Sequence, residues 1–172
     1  AAADGVRLLG QLSLIFVLFA LPSGYIGARI GRRVTIVIGI VILGSMMLGM
    51  FLLPVATLTT SLFYVPVLQE VPVAGLMLMA AGAGWALINI NSLPMVVDMT
   101  DTARIGTYTG LYYLFSTLSA IAGPNVNGWL IQLTGNNYNL VMIVAPMFMA
   151  VALILMLGVR RGEARPSAVT AG

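Results

Sequence analysis

The strongest constraint on this chain is a pair of long apolar runs, residues 8–27 and 34–56, joined by a short cationic turn. The turn lies in Gly24-Tyr25-Ile26-Gly27-Ala28-Arg29-Ile30-Gly31-Arg32-Arg33 and holds three of the chain's eight basic residues. Each run can cross a bilayer as a helix; residues 34–56, at 1.5 Å per residue, extend roughly 34 Å. Clustered arginines are costly to move through hydrocarbon, which places the turn on the cytoplasmic side.

The rest of the composition agrees with lipid as solvent. Hydrophobic residues make up 60% of the 172 and charged residues only 8%, whereas a soluble domain carries about a quarter charged residues. The net charge of +3 comes from arginine alone, since the chain has no Lys. Those arginines lie at predicted helix ends and not on one stripe, so nucleic acid is not an expected partner. With Cys 0 and His 0, there is no disulfide framework, no thiolate nucleophile and no ordinary zinc site, and no cofactor is expected. No paired catalytic carboxylates or Ser/His arrangement exists, so the chain is not read as an enzyme. The first run is not a signal peptide: it is too long, Asp4 spoils the basic lead, and the stronger basic cluster follows it.

Five membrane helices are expected, at about residues 8–28, 34–56, 71–97, 106–133 and 138–159, giving an all-α membrane protein. Between the second and third spans a polar, proline-bearing loop covers residues 57–70. Asp98 to Ile105 is a charged turn, Gly123-Pro124 weakens the fourth helix, and Gly135-Asn136-Asn137 is a tight turn. The tail, residues 160–172, is polar and cytoplasmic. Arg29, Arg32, Arg33, Arg104, Arg160, Arg161 and Arg165 all fall on one side of this topology, so the N-terminus lies outside and the C-terminus inside.

Polar side chains are unevenly shared among these helices. The second and fifth are nearly pure hydrocarbon and suit lipid all round. The third carries Trp85, Asn89 and Ser92 on one face, with Asn91 and Asp98 on an adjacent stripe. The fourth carries Tyr108, Tyr112 and Ser116, with Tyr113 and Thr117 beside them, then Asn125, Asn127 and Gln132. On the first helix Ala20, Gly24 and Ala28 form a small-residue ridge suited to close packing. An uncompensated amide in hydrocarbon is expensive, so these groups meet protein or water. Amides and hydroxyls acting only as glue between helices would explain any one of them; the whole set suits a water-filled cavity with aromatic and amide walls.

The turn at residues 24–33 resembles the signature loop of the major facilitator superfamily, G-x-L-A-D-R-x-G-R-K/R: Gly24, Arg29, Gly31, Arg32 and Arg33 match, and Ala28 replaces the acid. In the family that acid helps latch the cytoplasmic side, so a latch through position 28 is not expected here. Gly84-Trp85-Ala86-Leu87-Ile88-Asn89-Ile90-Asn91-Ser92-Leu93-Pro94-Met95, with DTARIGTYTG from Asp101 and the following Leu111-Tyr112-Tyr113-Leu114-Phe115-Ser116, resembles the sucrose–proton symporter branch, bacterial members and related glycoside–cation symporters included. The resemblance implies that the five helices correspond to helices eight to twelve, with helix seven and the N-terminal half lying outside this stretch. It implies a sugar as solute, a proton or sodium ion as coupling ion, and a bacterial inner membrane as location. The first, third and fourth helices would line the cavity, with the second and fifth peripheral.

The expected sugar-facing residues are Trp85, Asn89, Ser92, Tyr112, Ser116 and Asn127, and the expected cytoplasmic gate is Gly24, Arg29, Gly31, Arg32, Arg33, Asp98 and Asp101. Simple retention of arginines on the cytoplasmic side would explain the gate residues equally well. All acids, namely Asp4, Glu70, Asp98, Asp101 and Glu163, fall at helix ends or in loops, so the coupling acid is expected in the other half. A facilitator-fold exporter of drugs or other organic solutes, or a non-transporting membrane scaffold, are the competing functions.

Overall fold

In lipid every backbone amide must find its partner within the chain, and long apolar runs meet that demand as helices. The computed structural model describes residues 2–66 and 69–159. They form α1 (Ala2–Ile30), α2 (Arg32–Leu52), a single turn α3 (Val55–Leu58), an antiparallel hairpin of β1 (Ser61–Val65) and β2 (Gln69–Pro72), α4 (Val73–Asp98), α5 (Ile105–Leu133) and α6 (Val141–Gly158). Short 3-10 turns, Thr102–Arg104 and Tyr138–Leu140, precede α5 and α6. The expected tail, residues 160–172, lies outside the described residues.

Four stretches are long and apolar enough to cross a membrane: Gly5–Ile30, Arg32–Leu52, Val73–Asp98 and Tyr138–Gly158. The expected fourth span, residues 106–133, is the helix α5, whose 29 residues extend about 44 Å. Its tyrosines, threonines, serines and amides keep its hydropathy below that of the four spanning stretches. The five long helices thus match the expected all-α membrane architecture, with one departure in the loop after α2. Residues expected there as irregular polar chain instead form α3 and the hairpin, which pairs Phe63 with Val71 and Tyr64 with Glu70.

Local stops follow from residue chemistry. Gly31 separates α1 from α2 at φ 96°, a left-handed backbone that a side chain disfavours. The Thr35 amide and hydroxyl both donate to the Gly31 carbonyl, at 3.1 and 2.9 Å. At the end of α5, Gly135 (φ 68°) and Asn136 (φ 65°) turn left-handed. The Asn136 amide reaches the Ile131 carbonyl at 2.9 Å and the Gly135 amide the Gln132 carbonyl at 3.3 Å, a Schellman stop. The expected weakness at Gly123-Pro124 does not end α5, which continues through Pro124 to Leu133.

The centre of the bundle is α4, which packs against both α1 and α2, while α6 packs on α2. Glycines make the approach close. A Cβ added to Gly82 would stand 2.5 Å from the Leu12 carbonyl oxygen, and one on Gly39 would stand 2.6 Å from the Gly84 carbonyl oxygen. Ile36 and Ile40 of α2 join Met95 of α4 in a core flanked by Met149, Ala152, Leu153 and Met156 of α6. This corrects the expectation that α2 faces lipid all round: Thr35, Ile36, Gly39, Ile40 and Leu43 are buried. α6 has no buried residue, as a peripheral helix would. α5 packs sparsely on α4, and none of its residues is buried.

Candidate functional site

The arginine turn is built by the helix ends around it. Arg32, at the start of α2, places Nε 2.6 Å from Asp98 Oδ2 at the end of α4, with the two side chains 25% and 21% exposed. Arg33 points to α6: its Nε donates to the Met156 carbonyl at 3.3 Å and its Nη2 to the Leu157 carbonyl at 2.7 Å. Those carbonyls lie in the last turn of a helix, where the backbone lacks partners and carries partial negative charge. Adjacent arginines therefore tie one end of α2 to two different helices. Arg29 is exposed and lies over the Tyr25 ring, 4.5 Å from its centroid.

Of the expected gate residues, the structure brings Arg32 and Asp98 together and sets Gly31 at the corner beneath them. Gly24 lies against Ile90 of α4, whose Cγ2 would be 3.5 Å from an added Cβ. Asp101 is exposed and makes no ion pair among the described residues; its carbonyl accepts from the Arg104 amide at 2.9 Å. Arg29 likewise has no carboxylate partner among the described residues.

The seam between α1 and α4 holds polar residues outside the expected solute and gate sets. Asn91, wholly buried, donates from Nδ2 to the Ser23 carbonyl (3.2 Å), the Ser23 hydroxyl (3.1 Å) and the Leu87 carbonyl (2.9 Å). Ser23, also buried, donates to the Ala86 carbonyl at 3.0 Å. The Asn91 Oδ1 occupies the space that a Cβ on Gly27 would need. At the opposite end of α1, Gln11 is buried and its Nε2 donates to the Glu70 carbonyl at 3.4 Å. The α1 ridge is accordingly corrected: Ser23, Gly24 and Gly27 face α4, whereas Ala28 is exposed. The available signal was Gly24 and Gly27 flanking a helix turn with Ser23, which admits a buried amide from a neighbour.

The expected solute residues are presented differently. Trp85 and Asn89 are exposed and Ser92 is half-buried. Asn89 Nδ2 donates to the Trp85 carbonyl at 3.2 Å and Ser92 Oγ to the Ile88 carbonyl at 2.6 Å, both on their own helix. On α5, Tyr112 and Asn127 are half-buried and Ser116 is exposed. Tyr112 meets Tyr113 edge to face, with ring centroids 5.4 Å apart. Among the described residues no hydrogen bond joins the α4 set to the α5 set. The two sets are uncharged faces with unspent hydrogen-bonding capacity on neighbouring helices. The Asn89 carbonyl, the tyrosine hydroxyls and the Asn127 amide can serve hydroxyl groups, and the Trp85 ring can cover an apolar C–H face.

The family model described as Major Facilitator Superfamily matches residues 7–172. No curated protein and no solved structure matches the chain significantly.

Proposed function

The chain belongs to the major facilitator superfamily, and from that premise we propose that it is part of a secondary active transporter carrying a small polar solute, a sugar or glycoside, in symport with a proton or sodium ion. Members of the superfamily move solutes across membranes, and these apolar helices place the chain in a bilayer. One observation carries the finer proposal: the exposed polar side chains along α4 and α5 are uncharged amides, hydroxyls and aromatic rings. A solute with hydroxyl groups and C–H faces fits such walls; a carboxylate or phosphate would call for a cation there. A lipophilic cation would call for an acid, and the described acids Glu70, Asp98 and Asp101 fall at or beyond helix ends, which weighs against an exporter of such compounds.

In this proposal Trp85, Asn89, Ser92, Tyr112, Ser116 and Asn127 form one wall of the solute path. Helices outside this stretch supply the other wall, together with the carboxylate that couples transport to the ion. Alternating access then rocks the two halves about a midplane site. Arg32 and Asp98 hold the cytoplasmic rim, with Gly24, Gly31 and Arg33 setting its geometry and Arg29 and Asp101 free to meet the opposing half. In this proposal the positive-inside bias puts the rim in the cytoplasm and the N-terminus outside, and the resemblance to bacterial symporters implies a bacterial inner membrane. A pure scaffold would bury Asn89, Tyr112 and Asn127 against one another, and they are not so paired.

The test is equilibrium binding of radiolabelled sucrose and maltose to the chain in lipid–detergent micelles, against a panel of lipophilic cations. Saturable sugar binding lost in Trp85→Ala and Asn89→Ala supports the proposal. Binding of the cations without the sugars contradicts it. Reconstituted alone in vesicles, the chain is expected to accumulate no sugar against an imposed ion gradient.

A further inference from the structure

The hairpin and the chain leading into it stand at the end of the bundle opposite the arginine turn. No charged residue occurs between Arg33 and Glu70, although this stretch includes the whole connection from α2 to β2. A connection of this length immersed in water ordinarily carries charge and few large apolar side chains. Here Leu52, Val55, Leu62, Phe63 and Tyr64 are all exposed, Tyr64 at 67% and Leu62 at 49%.

The hairpin is nevertheless held firmly on one side. Val71 of β2 is wholly buried, the Glu70 carbonyl accepts from the buried Gln11 amide, and the Val73 amide donates to the Thr60 carbonyl at 3.0 Å. A two-stranded hairpin alone is marginal in water, so one seated this way and still presenting apolar side chains wants a second surface. Two membrane-spanning stretches, Arg32–Leu52 and Val73–Asp98, flank the connection directly. The exposed patch is therefore continuous with the lipid-facing end of α2 through Leu52 and Val55. The outer edges of a two-stranded sheet keep unpaired amides and carbonyls, which hydrocarbon does not tolerate. Their presence limits the depth to the hydrated headgroup zone, where tyrosine and phenylalanine are favoured.

We infer that the hairpin is an interfacial anchor: β1 lies on the boundary between headgroups and acyl chains, with Leu62 and Tyr64, which alternate with Phe63 and share one face, inserted and the edges of the sheet left to headgroups and water. The occupant of this patch is the lipid surface. The anchor fixes the height of α2 and α4 in the bilayer at one end, while the arginine turn, with its Arg32–Asp98 pair, fixes the other end.

The chain contains no cysteine, so single-cysteine variants report one position each. Tyr64→Cys and Leu62→Cys are labelled with an environment-sensitive fluorophore in vesicles of phosphatidylcholine and phosphatidylglycerol, with Val151→Cys on the exposed face of α6 as the deep reference. Nitroxide lipids labelled near the headgroup or near the chain end, and aqueous iodide, serve as quenchers. Both hairpin labels should be quenched several-fold more by the shallow nitroxide than by the deep one, the reverse of Val151, with iodide quenching several-fold below that of free dye. Iodide quenching equal to free dye at both sites would overturn the inference, as it means immersion in water. Shielding from iodide and both nitroxides would overturn it equally, as it means cover by protein.

Discussion

Asn91 and Asn89 are identical side chains two positions apart on α4, and the structure gives them opposite surroundings, one buried against α1 and one exposed. Replacing Asn91 with alanine removes the donor shared by the Ser23 carbonyl, the Ser23 hydroxyl and the Leu87 carbonyl. The Leu87 bond is local to α4 and counts little; the contacts to Ser23 cross from α4 to α1. Interhelical hydrogen bonds in membranes average about 0.6 and reach about 1.7 kcal/mol by double-mutant cycle. Packing is lost as well, because the amide oxygen sits where Gly27 leaves room, and a small residual void adds on the order of 1 kcal/mol. The expected cost of Asn91→Ala is thus about 1.5–2.5 kcal/mol, with about 0.5–1.5 kcal/mol of coupling to Ser23→Ala. Asn89→Ala removes only a bond from an exposed amide to its own helix, so its cost should be within about 0.5 kcal/mol. The assay is reversible unfolding in mixed micelles, followed by circular dichroism, for the four members of the Ser23/Asn91 cycle and for Asn89→Ala. Equal effects of the two asparagine substitutions, or zero coupling between positions 23 and 91, would refute the assignment of Asn91 to the α1–α4 seam.

Three further outcomes are expected. In a cycle of Arg32→Gln and Asp98→Asn, the partly exposed pair should show coupling of about 0.5–1 kcal/mol that shrinks at high salt; unchanged coupling in salt would argue against an ion pair. Gly39→Val should be far more harmful than Gly123→Val, by about 2 kcal/mol or more, because the first added Cβ meets the Gly84 carbonyl and the second meets nothing within 4 Å; thermal inactivation in micelles checks the order. Gly31→Ala, at φ 96°, should cost about 1 kcal/mol, and an unchanged melting temperature would contradict the left-handed corner between α1 and α2.

Helix positions were legible in the sequence because lipid leaves few alternatives: an apolar run of spanning length becomes a helix, and glycine, proline and charge mark its ends. Gly31 and Gly135-Asn136 illustrate this, each standing where a helix stops. The partition of polar residues between packing and solvent was less legible. Asn89 and Asn91 lie about 200° apart around α4, and the sequence of α4 alone has no sign saying which side meets α1. That choice is made by Ser23, Gly24 and Gly27 on another helix, so it is tertiary. The same holds for α2, which reads as suited to lipid all round although Gly39 is a contact point for α4. The hairpin was missed because Leu62-Phe63-Tyr64-Val65 is too short to stand out against the hydrophobic background of the chain. Among gate residues, the Arg32–Asp98 pair could be anticipated from charge at facing helix ends, whereas the Arg33 contacts to the end of α6 depend on where that helix terminates.

The central claim is that α4 and α5 present wet faces while α6 is greasy throughout. Single cysteines placed in turn at positions 85, 89, 92, 112, 116 and 127, and at the exposed Phe148 and Val151 of α6, can be challenged in native membranes with a membrane-impermeant thiol reagent. The account predicts fast modification along the α4 and α5 sets, slowed when sugar is added, and no modification at positions 148 and 151. Equal inertness at all these positions would contradict it, because side chains lining a solute path must meet water.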